Sequence, residues 1–338
     1  VIRRPDPSLL DLYDTLLLDL DGTLMHGGNP IPHAAEAVQR AREADRTIVF
    51  ATNNASRTPQ QAAEHLAHVG VTAHPAEFAT SPQIAARLLA EQLEQGQHVL
   101  VVGGPALASE VRAAGLTPVE RDNDDVAAVI QGWSPELGWS HLAEGAYAIA
   151  RGALWMATNT DATLPTERGM APGNGSLVAA LRHATGQEPM VAGKPGPGMF
   201  RLAAESHGAR RPLVIGDRLD TDIEGAVRAE MDSLLVLTGV DTIETALRAD
   251  AIRRPTYVLP DLSGLHAPFV LPVVDGTAAR CGATGADLAG DDLHLRGELS
   301  DARVVAAALA LLRRHYPETA FTGRILGPDG TETVPLPR

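Results

Sequence analysis

The sequence predicts an α/β protein whose larger part is a doubly wound parallel sheet covered by helices, with a small α+β appendage after it. Three observations carry this. Short, continuous apolar runs recur along the chain and stop at Asp or Gly, as strands buried on both faces do. Between them lie helical stretches opened by Pro or Thr and closed by Gly. Past Leu265 the alternation gives way to Gly-, Ala- and Asp-rich segments around one strong amphipathic helix.

In order, Thr15-Leu16-Leu17-Leu18 is the first buried strand and runs into Asp19. Residues 32–44 read as a helix rich in Ala and Glu, 47–51 as a strand, and 59–69 as a helix with Thr58 as N-cap and Gly70 just past its end. A weaker strand at 77–80 precedes a helix at 82–95 and a strand at 98–102 that Gly103-Gly104 stops. Strands at 126–131 and 154–157 flank a helix at 139–150. Trp133, Trp139 and Trp155 fall in this region and read as packing residues. The alternation resumes with strands at 189–192, 212–215, 233–237 and 257–260 and helices at 197–207 and 222–229. In the tail, 269–274 reads as extended, 277–292 as loop or weak strand, 301–315 as a helix capped by Ser300 or Asp301, and 320–326 as a strand before a turn at 327–330.

Composition narrows the functional classes. Apolar residues make up 44% and charged residues 21%, ordinary values for a globular chain. No apolar run approaches the roughly 18 residues of a membrane span. The start of the chain lacks the basic-then-apolar order of a secretory signal, so the expectation is a cytoplasmic protein without a membrane partner. A formal charge of −14 argues against nucleic acid as a partner. Cys281 is the one cysteine, so neither an internal disulfide nor a thiolate metal cluster is expected. If so acidic a protein handles phosphate, it needs a local positive site built from a metal, a lysine and backbone N–H groups.

The constellation that carries chemistry is Asp19-Leu20-Asp21-Gly22-Thr23, placed where a buried strand ends. Open parallel sheets bind ligands beyond the carboxyl ends of their strands. Asp19 and Asp21, two apart on extended backbone, point the same way and repel, so they call for a cation. One can attack phosphorus while the other gives and takes a proton. Partner signals follow at three other strand ends. Thr52, with Asn53 and Asn54, offers a hydroxyl and N–H donors to phosphate, and Lys194 in Gly193-Lys194-Pro195 offers a positive charge. Asp217 can complete an oxygen-rich metal shell, with either Asp222 or Asp220 supporting it.

These four segments resemble the four motifs of the haloacid-dehalogenase (HAD) superfamily of phosphatases. The resemblance covers residues 10–265. It implies a Rossmann-like parallel-sheet core at 1–81 and 186–265, an inserted α/β cap of the C2 type at 82–185, and the appendage at 266–338. Asp19 matches the nucleophile and Asp21 the general acid/base. Thr52 matches the phosphate-binding hydroxyl, with Asn53 and Asn54 beside it, and Lys194 the phosphate-neutralising lysine. Magnesium is implied on Asp19, the Asp21 backbone carbonyl and Asp217, with Asp222 behind them. Asn159-Thr160-Asp161 and Pro172-Gly173-Asn174-Gly175-Ser176 are similar to the subgroup of nitrophenyl-phosphate, pyridoxal-phosphate, nucleotide and glycerol-phosphate phosphatases. Caps of this class often mediate dimers, so the resemblance leaves room for a homodimer through the cap.

The implied reaction is hydrolysis of a small phosphomonoester through an aspartyl phosphate. Pyridoxal-phosphate relatives carry a cap histidine where this chain has Leu164 before Pro165, which disfavours a stacked aromatic substrate. Trp133, Trp155 and Arg168 could shape the pocket, but packing or exposure is the better explanation of each. A capped core with such a tail resembles actinobacterial glycerol-3-phosphate phosphatases with an acetyltransferase-like tail, which makes glycerol 3-phosphate the first expectation. Sugar phosphates, nucleotides or pyridoxal phosphate, and a second acyl-transferring activity in the tail, are the alternatives. Arg280-Cys281-Gly282-Ala283-Thr284-Gly285 has the wrong order to cradle a coenzyme A pyrophosphate, so the tail is expected to be structural or regulatory.

Overall fold

The computed structural model describes residues 7–54, 57–123, 125–166 and 168–334. They fall into two compact units, one within Val1–Val49, His68–Val71 and Ala204–Arg338, the other within Phe50–Ala67 and Thr72–Ala203.

The first unit is built on parallel strands in the order Tyr257–Leu259, Asp232–Val236, Pro212–Gly216 and Thr15–Leu18. The last of these is buried at every position, which is why its sequence is an unbroken apolar run. Register matters for the chemistry. Leu18 lies opposite Ile215, and the Asp19 N–H donates to the Ile215 carbonyl at 2.8 Å. The chain therefore leaves the sheet at the same level in both strands, at Asp19 on one and Gly216-Asp217 on the next.

The tail belongs to this same unit. Its sheet runs Val273–Asp275, Ala278–Cys281, Thr284–Ala289, Asp292–Arg296, Ile325–Leu326, Glu332–Val334, antiparallel except where Asp292–Arg296 meets Ile325–Leu326. Of the two expectations at 277–292, loop or weak strand, the structure shows hairpin strand, Ala278–Cys281 with Thr284–Ala289. Ala and Gly are poor strand formers by propensity. Here the alternating small residues Ala279, Cys281 and Ala286 are fully buried, and Gly276, Gly282 and Gly290 take the positive φ that the tight turns need.

Helix Ala302–His315, capped by the Asp301 carboxylate on the Arg303 N–H at 2.9 Å, lies in one apolar cluster with those strands. That cluster also holds Leu235, Leu247 and Val258, so the tail covers one face of the parallel sheet. Arg254, 3% exposed, donates to the carbonyls of Leu312, Tyr316, Thr319 and Ala249 at 2.7–3.1 Å. Burial pushes its pKa down to about 10, and the four carbonyls offset the loss of water.

The second unit has its own parallel sheet, ordered Met190–Val191, Leu154–Ala157, Val126–Gln131, His98–Val102 and Thr117–Val119. Helices Trp139–Ala150 and Asn174–Thr185 close one apolar cluster with it. Apart from this sheet, Phe50–Thr52 pairs in parallel with Phe78–Thr80. Elements not foreseen in this unit include helix Pro105–Ala113, strand Thr117–Val119, helix Asn174–Thr185, and the hairpin Thr163–Thr166 with Gly169–Pro172. Trp155 packs as expected, 4% exposed, with its indole N–H on Gln131 Oε1 at 3.2 Å. Trp139 does not: it is 79% exposed on its helix. Among the described residues no helix is long and apolar enough to cross a membrane.

Candidate active site

In the first unit, Asp19, Asp217 and Asp222 come together. One carboxylate oxygen of each lies within 4.8 Å of the others. Asp217 and Asp222 are 2% and 1% exposed, and Asp19 is partly buried. Three carboxylates so close in a poorly solvated place repel strongly, and a hard divalent cation is the species that relieves the repulsion. The all-oxygen donor set fits such a cation. Asp21 is exposed one step beyond the strand, where the Gly22 N–H donates to the Met25 carbonyl at 2.8 Å and tightens the turn.

The sequence left Asp220 and Asp222 as alternatives, and the geometry separates them. Residues Leu219–Ile223 form a wide helical turn that aims Asp222 inward, its Oδ2 accepting from the Arg218 N–H at 3.2 Å. Asp220 faces out and pairs with the Arg218 guanidinium at 2.9 and 3.0 Å. Burial opposes ionisation of Asp220, but the Arg218 contacts outweigh it and hold the carboxyl below its ordinary pKa.

One contributor was not foreseen: the loop that follows strand Asp232–Val236. The Val240 N–H donates to Asp217 Oδ2 at 2.9 Å, and the Asp241 N–H to the Asp217 carbonyl at 3.1 Å. Thr238 Oγ1 donates to the Gly22 carbonyl at 2.6 Å, while His26 donates from Nε2 to the Thr238 carbonyl at 2.6 Å. A Cβ at Gly22 or at Gly239 would overlap the Asp217 carboxylate, so both positions need glycine for close approach. The signal was present in Leu237-Thr238-Gly239 at a strand end, but backbone donors leave no side-chain signature. Gly239→Ala is expected to displace Asp217 and weaken divalent-cation affinity about 10–100-fold, the usual range for lost support around a metal ligand. Calorimetric titration of the folded variant checks this.

The second unit holds the remaining candidates. Thr52 ends its strand 6% exposed, its Oγ1 accepting from the Asn54 N–H at 3.1 Å. Lys194 is 3% exposed, and its Nζ donates to the Ala51 carbonyl at 3.1 Å. The Asn53 side chain is turned toward Lys194: Oδ1 accepts from the Lys194 N–H at 2.8 Å, and Nδ2 donates to the Lys194 carbonyl at 3.0 Å. Thr52, Asn53 and Lys194 thus form one group.

Comparison with known proteins fits this arrangement. Residues 16–117 match the model of the haloacid dehalogenase-like hydrolases, and residues 191–265 match a second HAD-hydrolase-like model. Over 259 residues the chain is 52% identical to the D-glycerol 3-phosphate phosphatase of Mycobacterium tuberculosis, covering 77% of this chain and 72% of that one. The chain belongs to the haloacid dehalogenase-like hydrolase family. Within the family it is also 34% identical, over 253 residues, to the 5′-nucleotidase YutF of Bacillus subtilis, covering 74% of this chain and 96% of that protein. A crystal structure of a Mycobacterium tuberculosis glycerol phosphate phosphatase in complex with magnesium superposes with a TM-score of 0.84 at 45% identity, over 96% of both chains. That similarity extends through the tail.

Proposed function

We propose that this HAD hydrolase is a magnesium-dependent phosphatase that hydrolyses glycerol 3-phosphate to glycerol and phosphate through an aspartyl phosphate on Asp19. The observation that carries the reading is the buried group Asp19, Asp217 and Asp222 at the ends of adjacent parallel strands. Resemblance to the mycobacterial glycerol phosphate phosphatases supports the substrate.

In this reading Asp19 Oδ attacks phosphorus in line with the departing alkoxide. Asp21 protonates that alkoxide, then takes a proton from the water that hydrolyses the acyl phosphate. Lys194 and the Thr52 hydroxyl and N–H groups hold the phosphoryl oxygens, with Asn53 and Asn54 beside them. Asp19, Asp217 and the Asp21 backbone carbonyl would hold magnesium, with Asp222 supporting. When bound, the ion offsets charge on the transferring phosphoryl group. Phosphoryl transfer is driven by positioning and electrostatics, so a site assembled from strand ends suits it. A homodimer through the second unit is part of the proposal. Trp139 and Tyr147, 79% and 55% exposed on one helix, support it.

The test is a panel of phosphomonoesters assayed with magnesium, comparing kcat/KM. Glycerol 3-phosphate is expected to exceed sugar phosphates, nucleotides and pyridoxal phosphate. A flat profile would replace this substrate with a broad specificity, and no turnover of any member would end the reading.

A further inference from the structure

The Asn53 side chain and carbonyl are both engaged. Its Oδ1 takes the Lys194 N–H at 2.8 Å. Of its two amide hydrogens, one goes to the Lys194 carbonyl at 3.0 Å and the other to the Asp161 carboxylate, at 3.2 and 3.3 Å from the two oxygens. Its own carbonyl accepts from Ser81 Oγ at 2.9 Å and from Asn159 Nδ2 at 2.8 Å. Asn159 is held in turn, its carbonyl accepting from Asn174 Nδ2 at 2.7 Å. Asn53, Asn159 and Asn174 are 9%, 4% and 2% exposed, and polar groups so buried contribute only when their geometry is satisfied.

Gripping both the N–H and the C=O of one residue fixes the peptides on either side of its Cα. Of the common side chains, only an amide offers an acceptor and a donor at that separation. The preceding residue is packed to the same end: a Cβ on Gly193 would overlap Asn53 Oδ1 and the Thr158 carbonyl. With its backbone gripped, Lys194 sends its side chain out from a fixed origin, and its Nζ meets the Ala51 carbonyl at 3.1 Å. In this arrangement no amide hydrogen of Asn53 remains to donate to a phosphate oxygen.

We propose that Asn53 is a positioning residue that fixes Lys194, and that Asp161 holds the Asn53 amide in the orientation that does so. The proposal rests on the reading of Lys194 as the group that neutralises phosphate. It assigns a role to Asp161, which stands just before the hairpin Thr163–Thr166 with Gly169–Pro172, so this segment bears on Lys194 through one amide.

Two experiments test this, both with the full chain, magnesium and p-nitrophenyl phosphate. The first is a double-mutant cycle of Asn53→Ala and Lys194→Ala, read as kcat/KM. Lys194→Ala alone is expected to lose about 10³-fold, as removal of a transition-state donor does. Asn53→Ala alone is expected to lose about 10–100-fold, and to cost less than about 3-fold more once Lys194 is gone. Multiplying losses would mean that Asn53 acts directly on substrate, and would overturn the inference while leaving the role of Lys194 intact. Full activity in Lys194→Ala would overturn both.

The second experiment uses a change of the same size, which guards against a misfolded alanine variant. Asn53→Asp keeps the acceptor for the Lys194 N–H, loses the donor, and sets a carboxylate against Asp161. Adding Asp161→Asn restores a donor–acceptor pair with the roles exchanged. The pair is expected to regain at least about 5-fold in kcat/KM over Asn53→Asp, a coupling of the size that contacting residues show. Absence of any recovery in a folded double variant would remove Asp161 from the proposal.

Discussion

Asp19→Asn is expected to lower kcat by about 10⁴-fold or more, the scale on which loss of a covalent nucleophile is felt. The amide has the carboxylate's shape but neither its charge nor its nucleophilicity, so the acyl phosphate does not form. Stability is expected to move the other way. Removing one of three adjacent carboxylates relieves repulsion on Asp217 and Asp222, so the metal-stripped variant melts at or above the wild-type Tm. Magnesium, by contrast, loses one ligand and stabilises the variant less. Steady-state kinetics together with melting curves in EDTA and in magnesium check all three signs. Full turnover by this variant would mean that another residue forms the bond to phosphorus.

The second large effect concerns the tail. A chain ending after residue 266 is expected to be insoluble, or to melt without a cooperative transition. Helix Ala302–His315 buries Val304, Val305, Leu309, Leu311 and Leu312 in the cluster that also contains Leu235, Leu247 and Val258. Each such side chain contributes about 1.5–3 kcal/mol when buried, against a net stability of about 5–15 kcal/mol for a whole domain. Truncation strips that cover from the parallel sheet and removes three of the four carbonyls that hold Arg254. The Bacillus subtilis relative, matched over 96% of its length by 253 residues, shows that a shorter chain can suffice in this family. The expectation is therefore specific to this chain, which exposes an apolar face where its tail would sit. A soluble truncated chain with the parent's melting curve would show that the face closes by itself.

Much of the proposed site was legible in the sequence because its residues stand where apolar runs stop. Thr15 to Leu18 could be read as a buried strand, and that alone placed Asp19 at an edge where ligands bind. Lys194 and Asp217 followed by the same logic. The choice between Asp220 and Asp222 was illegible, because a helical turn that widens over Leu219–Ile223 rotates side chains away from any spacing rule. The tail strands were hidden by composition: tight packing under a helix selects Ala, Cys and Gly, the residues that propensity counts against a strand. Nothing in Thr-Asn-Asn reveals that the Asn53 side-chain amide closes on a residue 141 positions away.

The support that Asp217 receives from residue 240 comes from a main-chain hydrogen, while the valine side chain there is 64% exposed. Position 240 is thus blind to chemistry in nineteen of twenty letters of the alphabet and intolerant of one. Proline, which lacks the hydrogen, would silence the contact without touching a single functional side chain. Homologues are expected to drift widely at this site while avoiding that substitution, so a residue can matter to the reaction and yet look unconserved.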